Sequence, residues 1–339
     1  MTIARESGWL VRRGAGAGAG VTLVELLVSM AIFSLVVVLL SGVLARTQEV
    51  NRSVSSQVYQ FREARRAFDA MSQVLAQATL QTYWDYDHVE AGGRLVPSAY
   101  VPRSDLRFVA GRASVLLDSG DERVHPGHAL FFQAHTGFSR DPDAAGFNGL
   151  LNSWGYFVEY GDRNHRQPGF LDDGSGGGRL YRLVEFRQPA EQLTIFRDGA
   201  ADNGWFRSPP PGQRRVLAEN ILLLTALPLW PGQDEDDAGV AYDYDSAGIL
   251  SSQPRMHQLP ARVRLTLVAL EAGAAGRLAA EDRLATLLPE GLFADPARFE
   301  ADLGQVRARL DEERLGHRVF TTTVALRAAR WTAGGEGEP

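Results

Sequence analysis

Residues 26–45 constrain what this chain can fold into more than any other feature: twenty consecutive uncharged, mostly apolar residues close to the N-terminus. As a helix, such a run crosses roughly 30 Å of hydrocarbon. The apolar stretch opens at Val21, and Glu25 is its only charge. Three arginines, one glutamate and a Gly-Ala repeat lie ahead of it. A cleavable secretory signal has a shorter apolar core, roughly 7–15 residues, and its small residues follow that core. Here the order is inverted.

Glycines alternate at 14, 16, 18 and 20, but only Gly20 is followed at the fifth position by a glutamate. The segment Gly20-Val21-Thr22-Leu23-Val24-Glu25-Leu26-Leu27-Val28 resembles the type IV prepilin, or class III, signal. The resemblance implies cleavage after Gly20 by a prepilin peptidase on the cytoplasmic side, N-methylation of Val21 and an assembly role for Glu25. The family usually has phenylalanine where Val21 stands, and here the arginines lie several residues before Gly20. A carboxylate at the edge of a bilayer is costly, so by default it has a function and a partner. In the family that partner is thought to be the free amine of the neighbouring subunit, which here is the Val21 amine. The alternative is an ordinary signal anchor with its acid near the headgroups. Arginines flank both ends of the span, so the orientation, N-terminus in the cytoplasm, rests on the resemblance rather than on charge asymmetry.

Neither Gly nor Pro occurs from Val43 through Ala91, so no breaker interrupts a helix there. Val50, Val54, Val58, Phe61, Phe68, Met71 and Leu75 recur at helical spacing. They form one apolar stripe, with Arg62, Glu63, Arg66 and Asp69 off it. The pattern predicts one helix from about 21 to about 80, on the order of 90 Å long. It has a transmembrane or filament-core part over 21–45 and an amphipathic continuation over 46–82. The stripe lacks a sustained heptad and carries aromatic residues, which favours packing on a sheet over a separate coiled-coil stalk.

From 83 to 331 the texture changes to short apolar or alternating runs broken by Gly, Pro and Asp. Strands are expected over 106–110, 129–134, 156–160, 180–186, 193–196, 262–270 and 319–327. A helix is expected over 295–315, with Phe299, Leu303, Val306 and Leu310 on one face. Too few helices separate the strands for a parallel α/β sheet. The expected class is α+β: a pilin-like fold whose long helix packs on an antiparallel β-sheet head. Long loop insertions are placed at 136–153, 161–178, 198–212 and 231–248, and a flexible tail at 332–339.

Within the head, Arg215-Val216-Leu217-Ala218-Glu219-Asn220-Ile221 is followed by Tyr242-Asp243-Tyr244-Asp245 and then by Leu259-Pro260-Ala261-Arg262-Val263-Arg264-Leu265. This order looks like the minor pseudopilin J subunit of type II secretion. The segments 128–133, 155–162, 181–196 and 318–331 more closely resemble the Verru_Chthon cassette protein C family of pilin-like proteins. That family is known mainly by its signal and genetic neighbourhood, and it implies no activity.

All 35 basic residues are arginine and there is no cysteine. This excludes a P-loop or Schiff-base lysine, a Cys nucleophile, disulfides and zinc-thiolate sites. A net charge of −6 without a basic stretch argues against nucleic acid as the main partner. Neither H-E-x-x-H nor G-x-S-x-G occurs. His125-Pro-Gly-His128 with His135 reads as a turn rather than a metal site, and the glycine run 174–178 reads as a surface loop. The carboxylates Asp234, Asp236, Asp237, Asp243 and Asp245 offer hard oxygen ligands for a loose Ca²⁺ site. Counted from Asp243, an EF-hand loop fails at Ala247 and Pro254. Trp84-Asp85-Tyr86-Asp87 is read as the cap where helix meets head, with stacking on a sugar or peptide as the alternative.

No catalytic group and no cofactor is expected beyond that Ca²⁺ candidate. The expected function is that of a minor pilin or pseudopilin, working by assembly rather than catalysis. Its expected partners are the prepilin peptidase, inner-membrane lipid and sister subunits of a type IV pilus-like or type II secretion-like filament. A head of about 250 residues would crowd a helical lattice, so a tip position is expected. The runner-up is a membrane-anchored periplasmic binding or enzymatic domain on a simple signal anchor.

Overall fold

The computed structural model describes residues 22–118, 124–144, 146–162, 179–196, 204–233, 240–248, 256–271, 287–289 and 291–330, with isolated positions between 273 and 278. Side chains of 45–58 lie outside this description, as do the leader 1–20, most of the loop 161–178, including its glycine run, and the tail 332–339. Leu23–Leu75 is one α-helix of 53 residues, α1. The chain divides into two compact units, 1–55 and 56–339. In the first, Leu23–Leu44 is long and apolar enough to cross a membrane, and all its side chains are exposed. One N-terminal apolar helix of this kind fits a single-pass anchor or a signal sequence.

The second unit mixes helix with antiparallel sheet. Its strands are β1 (Ala78–Thr79), β2 (Tyr83–Ala91), β3 (Arg94–Arg103), β4 (Val109–Arg112), β5 (His128–His135), β6 (Leu151–Asp162), β7 (Arg179–Gln188), β8 (Arg214–Glu219), β9 (Ile221–Leu229), β10 (Tyr244–Asp245), β11 (Arg262–Leu270) and β12 (His317–Ala325). Among the described residues they form three sheets. The largest runs β10-β4-β5-β6-β7-β8, with β1 pairing Gln133 and Ala134 of β5 beyond the stretch that β4 pairs; the others are β12-β11-β9 and the ribbon β2-β3. The sequence predicts one sheet, and the division into three is the main difference. Residues 221–229, expected as part of no strand, form β9, every residue of which is buried.

On α1, Phe68, Met71 and Leu75 are buried and Phe61 partly so, whereas Arg62, Glu63 and Arg66 are exposed. The predicted stripe therefore holds over its described part; Val50, Val54 and Val58 lie outside it. The helix stops at Leu75, short of the expected 80, although no breaker is present. Ala78 and Thr79 instead pair with Ala134 and Gln133 of β5, and the Arg327 N–H donates to the Ala76 carbonyl at 3.1 Å. Strand partners supplied by the folded head outweigh a few tenths of a kcal/mol of helix propensity.

The large sheet buries both faces, because successive side chains alternate across it. Leu130, Phe132, Tyr156 and Val158 belong to the main core, with α1 and the three-stranded sheet. Phe131, Phe157, Val184 and Phe186 face a second core. The single-turn helix Gly204–Arg207 closes that core with Trp205 and Phe206, and the Phe131 and Phe206 rings stack at 4.1 Å. Part of the expected loop insertion 198–212 is thus a core lid. Residues 193–196 form no strand: Gln188 holds Thr194 through its side-chain amide at 3.0 Å, turning the chain after β7. The helix Phe299–Glu312 buries Phe299, Leu303, Val306 and Leu310, as its period predicts.

Candidate functional site

Gly20 and Val21 lie outside the described residues. Glu25 stands in the first turn of α1, exposed, and its backbone N–H donates to Thr22 Oγ1 at 3.2 Å. Thr22-Leu23-Val24-Glu25 therefore has the T-x-x-E pattern of a capping box, a local role that the sequence reading did not weigh. The Glu25 carbonyl accepts from Ser29 Oγ at 2.7 Å.

Of the candidate calcium ligands, Asp234, Asp236 and Asp237 lie outside the described residues. Asp243 and Asp245 act as local fasteners. Asp243 Oδ1 accepts from the Arg112 N–H at 3.3 Å, and Asp245 Oδ1 accepts from the Ala247 N–H at 2.9 Å within a turn closed by Gly248. Among the described residues no three His, Asp or Glu side chains converge on one point. The three histidines drawn together by sequence are spread apart. His128 and His135 occupy opposite ends of β5, about 23 Å apart by strand rise. His128 is buried against Tyr242, with ring centroids 4.3 Å apart, while His125 faces the Val158 carbonyl.

Trp84–Asp87 does not cap the long helix. It lies in the β2–β3 ribbon, a hairpin turned by Gly92 and Gly93, both at positive φ, as a two-residue turn of this hand requires. No residue of the ribbon is buried, and most of its residues are exposed. Cross-strand pairing places Trp84 opposite Pro102 and Tyr86 opposite Tyr100, so these four share one face. The Trp84 and Tyr100 rings stack with centroids 5.2 Å apart and planes at 18°, and Tyr86 lies 5.1 Å from Tyr100. Polar ties, Arg103 to Asp87 at 3.1 Å and Tyr83 to Asp105 at 3.3 Å, fasten the ribbon.

Trp84 and Pro102 also line a cavity of about 590 Å³ at the base of the ribbon, within the usual size range of ligand pockets. Its polar lining comes from three further segments, Thr79–Thr82, His257–Leu259 and Arg327–Arg330. Each is fixed by hydrogen bonds, the last through the Arg327 N–H to the Ala76 carbonyl. Thr82 Oγ1 donates to the His257 carbonyl at 3.3 Å, the His257 N–H to the Ser246 carbonyl at 2.6 Å, and the Tyr244 hydroxyl to the Gln258 carbonyl. Gln81 and His257 both hold left-handed backbone, φ 46° and 59°, a conformation that stores strain and recurs at ligand clamps. Burial and the Arg103 and Arg107 charges lower the His257 pKa, with Asp105 and Asp245 partly offsetting them, so the ring is neutral at neutral pH. The lining carries Arg327 and Arg330 and no acid.

A second cleft, about 540 Å³, gathers Arg62, Arg65 and Arg66 of α1 with Arg318 of β12 around Phe61 and Phe320. Asp69 pairs with Arg65 at 3.0 Å. Sequence reasoning placed Arg62 and Arg66 off the apolar stripe but had no means of finding their neighbour Arg318, more than 250 positions away. No protein-family model matches the chain, and no curated protein is similar to it.

Proposed function

We propose that this protein is a pilin-like subunit. A prepilin peptidase cuts it after Gly20, its N-terminal helix holds it in a bacterial inner membrane with the head on the periplasmic side, and the same helix then packs into a type IV pilus-like or type II secretion-like filament, with the large head at the tip. The head takes the pilin-like arrangement, with the second half of the long helix seated on antiparallel sheet. The observation that carries the reading is the coincidence of the unique Gly20-to-Glu25 register with the start of an exposed apolar helix at Leu23. In that position Glu25 neutralises the Val21 amine of a neighbour and sets the axial register of the helices. Once assembled, the neighbours' apolar stripes cover the exposed side chains of Leu23–Leu44.

Mass spectrometry of the mature N-terminus tests this. N-methylated Val21 is the expected result; an intact Met1, or a cut beyond residue 45, overturns it. An intact Met1 supports the other reading, a membrane-anchored periplasmic binding or enzymatic domain, which the cavity under Trp84 favours.

A further inference from the structure

We propose that the cavity at the base of the β2–β3 ribbon binds a carboxylated oligosaccharide, stacking a sugar ring on Trp84 and pairing the sugar carboxylate with Arg327 and Arg330. Four observations lead to this class of ligand. First, the ribbon is an isolated two-stranded hairpin, a form of marginal stability in water, yet it spends its longest side chains outside the core. Trp84 is 47% exposed, Tyr86 55% and Tyr100 58%. Fuller burial would stabilise the fold, yet the fold leaves these rings facing solvent.

Second, Tyr100 stacks on Trp84 and steadies the indole, which with Pro102 gives the cavity an aromatic wall. A pyranose ring has one apolar C–H face and a polar rim, which matches an aromatic plane beside hydrogen-bonding groups. Gln81, Gln258 and the neutral His257 supply donors and acceptors for hydroxyls. Third, two arginines and no acidic residue line the cavity, and arginine pairs with carboxylates in a planar, two-bond geometry. Charge selects an acidic sugar over a neutral one. Fourth, the left-handed backbone at Gln81 and His257, with the ties from Thr82, Tyr244 and Arg327, holds the lining in place before any ligand arrives, which lowers the ordering cost of binding. An acidic peptide is the competing ligand. The hydroxyl, amide and imidazole groups of Thr79, Gln81, Thr82, His257 and Gln258 in the lining match a sugar's many hydroxyls, so the saccharide is favoured.

The test uses the full chain in a detergent without a sugar headgroup, titrated with tetragalacturonate by calorimetry and tryptophan fluorescence. Expected are saturable binding, at least tenfold weaker binding of neutral cellotetraose, and loss of binding in Trp84→Ala but not Trp84→Phe. Arg327→Gln with Arg330→Gln should lower affinity at least tenfold and erase the preference for the acidic sugar. These two arginine changes leave the Arg327 backbone bond to Ala76 in place, so they decide the matter if the Trp84→Ala chain misfolds. Absence of saturable binding at millimolar tetragalacturonate overturns the proposal, as does binding that neither set of changes alters. It is also overturned if an oligoglutamate peptide binds as tightly through the same residues. The inference rests on the head alone, so its failure leaves processing at Gly20 untouched.

Discussion

Gly155 stands directly across from Phe131 in the β5–β6 ladder, and the Phe131 ring fills the space where a side chain at 155 would sit. A Cβ added there would lie 2.2 Å from Phe131 Cδ1 and 2.4 Å from Cε1. The ring cannot swing aside, because it is stacked on Phe206 and meets Phe186 and Trp205 edge-on. Overpacking a filled core costs about 1–3 kcal/mol. Gly155→Ala is therefore expected to lower stability by about 3 kcal/mol in chemical denaturation. Gly149→Ala, where nothing lies within 4 Å, should change it by less than about 0.5 kcal/mol. Equal losses in the two variants would show that the ring moves freely.

A buried ion group joins β6, β7 and β8. Glu159 accepts from Arg182 at 3.1 Å and pairs with Arg214, and all three side chains are close to fully buried. Removing one member of such a group strands the opposite charge away from water, at about 3–5 kcal/mol. Glu159→Ala is expected to cost that much. Glu312→Ala, which breaks the exposed Arg309–Glu312 pair at 2.7 Å, is expected to cost under about 1 kcal/mol. Denaturation midpoints of the two variants, compared with the parent, check the contrast.

His128 sets a pH dependence. Burial is the largest cause lowering its pKa from 6.5 to about 3; the nearby Phe293 backbone partly opposes this, and the Arg112 charge adds to it. The ring is neutral in the folded chain and takes up a proton on unfolding below pH 6.5. Stability from this source is thus complete above pH 6.5, falls with pH, and is fully lost once pH passes below about 3. Between pH 7 and pH 4 the loss amounts to about 3 kcal/mol, at about 1.4 kcal/mol per pH unit. His128→Phe keeps a ring against Tyr242 and removes the titration. The parent is expected to lose about 3 kcal/mol more than this variant over that interval; identical pH profiles would remove His128 from the account.

The sequence carried signals of very different range. Amphipathic period placed the apolar stripe of α1 and the buried face of the helix Phe299–Glu312, because a helix buries a face that its own spacing defines. β11 was legible to the residue, since Arg262–Leu270 is a compact β-branched and leucine run. Gly92-Gly93 between two extended segments is a hairpin signal, but β2 follows the helix with no Gly or Pro between them, so the sequence does not mark where helix gives way to strand. β9 was missed because a strand buried on both faces has no alternation to read. The cavity under Trp84 and the cleft around Phe320 could not be read at all. Their walls join segments that only the folded topology brings together, such as Trp84 with Arg327 and Arg62 with Arg318.

A single substitution separates the helix-start contact at Glu25 from the assembly role proposed for its carboxylate. The bond from its backbone N–H to Thr22 Oγ1 at 3.2 Å starts the helix, and the T-x-x-E pattern accepts glutamate or glutamine at this position equally well. Pairing with a neighbour's Val21 amine needs the carboxylate charge, which glutamine lacks. If Glu25 only caps, Glu25→Gln behaves as the parent. If the charge sets assembly, Glu25→Gln and Glu25→Ala are both inserted and cut after Gly20 yet stay in the membrane fraction and are missing from sheared filaments. The second pattern is expected. Thr22→Ala provides the converse: loss of the cap costs about 1 kcal/mol of helix stability, too little to unseat a span of this length, so processing and incorporation are expected to persist. Immunoblots of membrane and filament fractions for the three variants read the outcome, and filaments that contain Glu25→Gln at the parent level would leave the carboxylate without an assembly role.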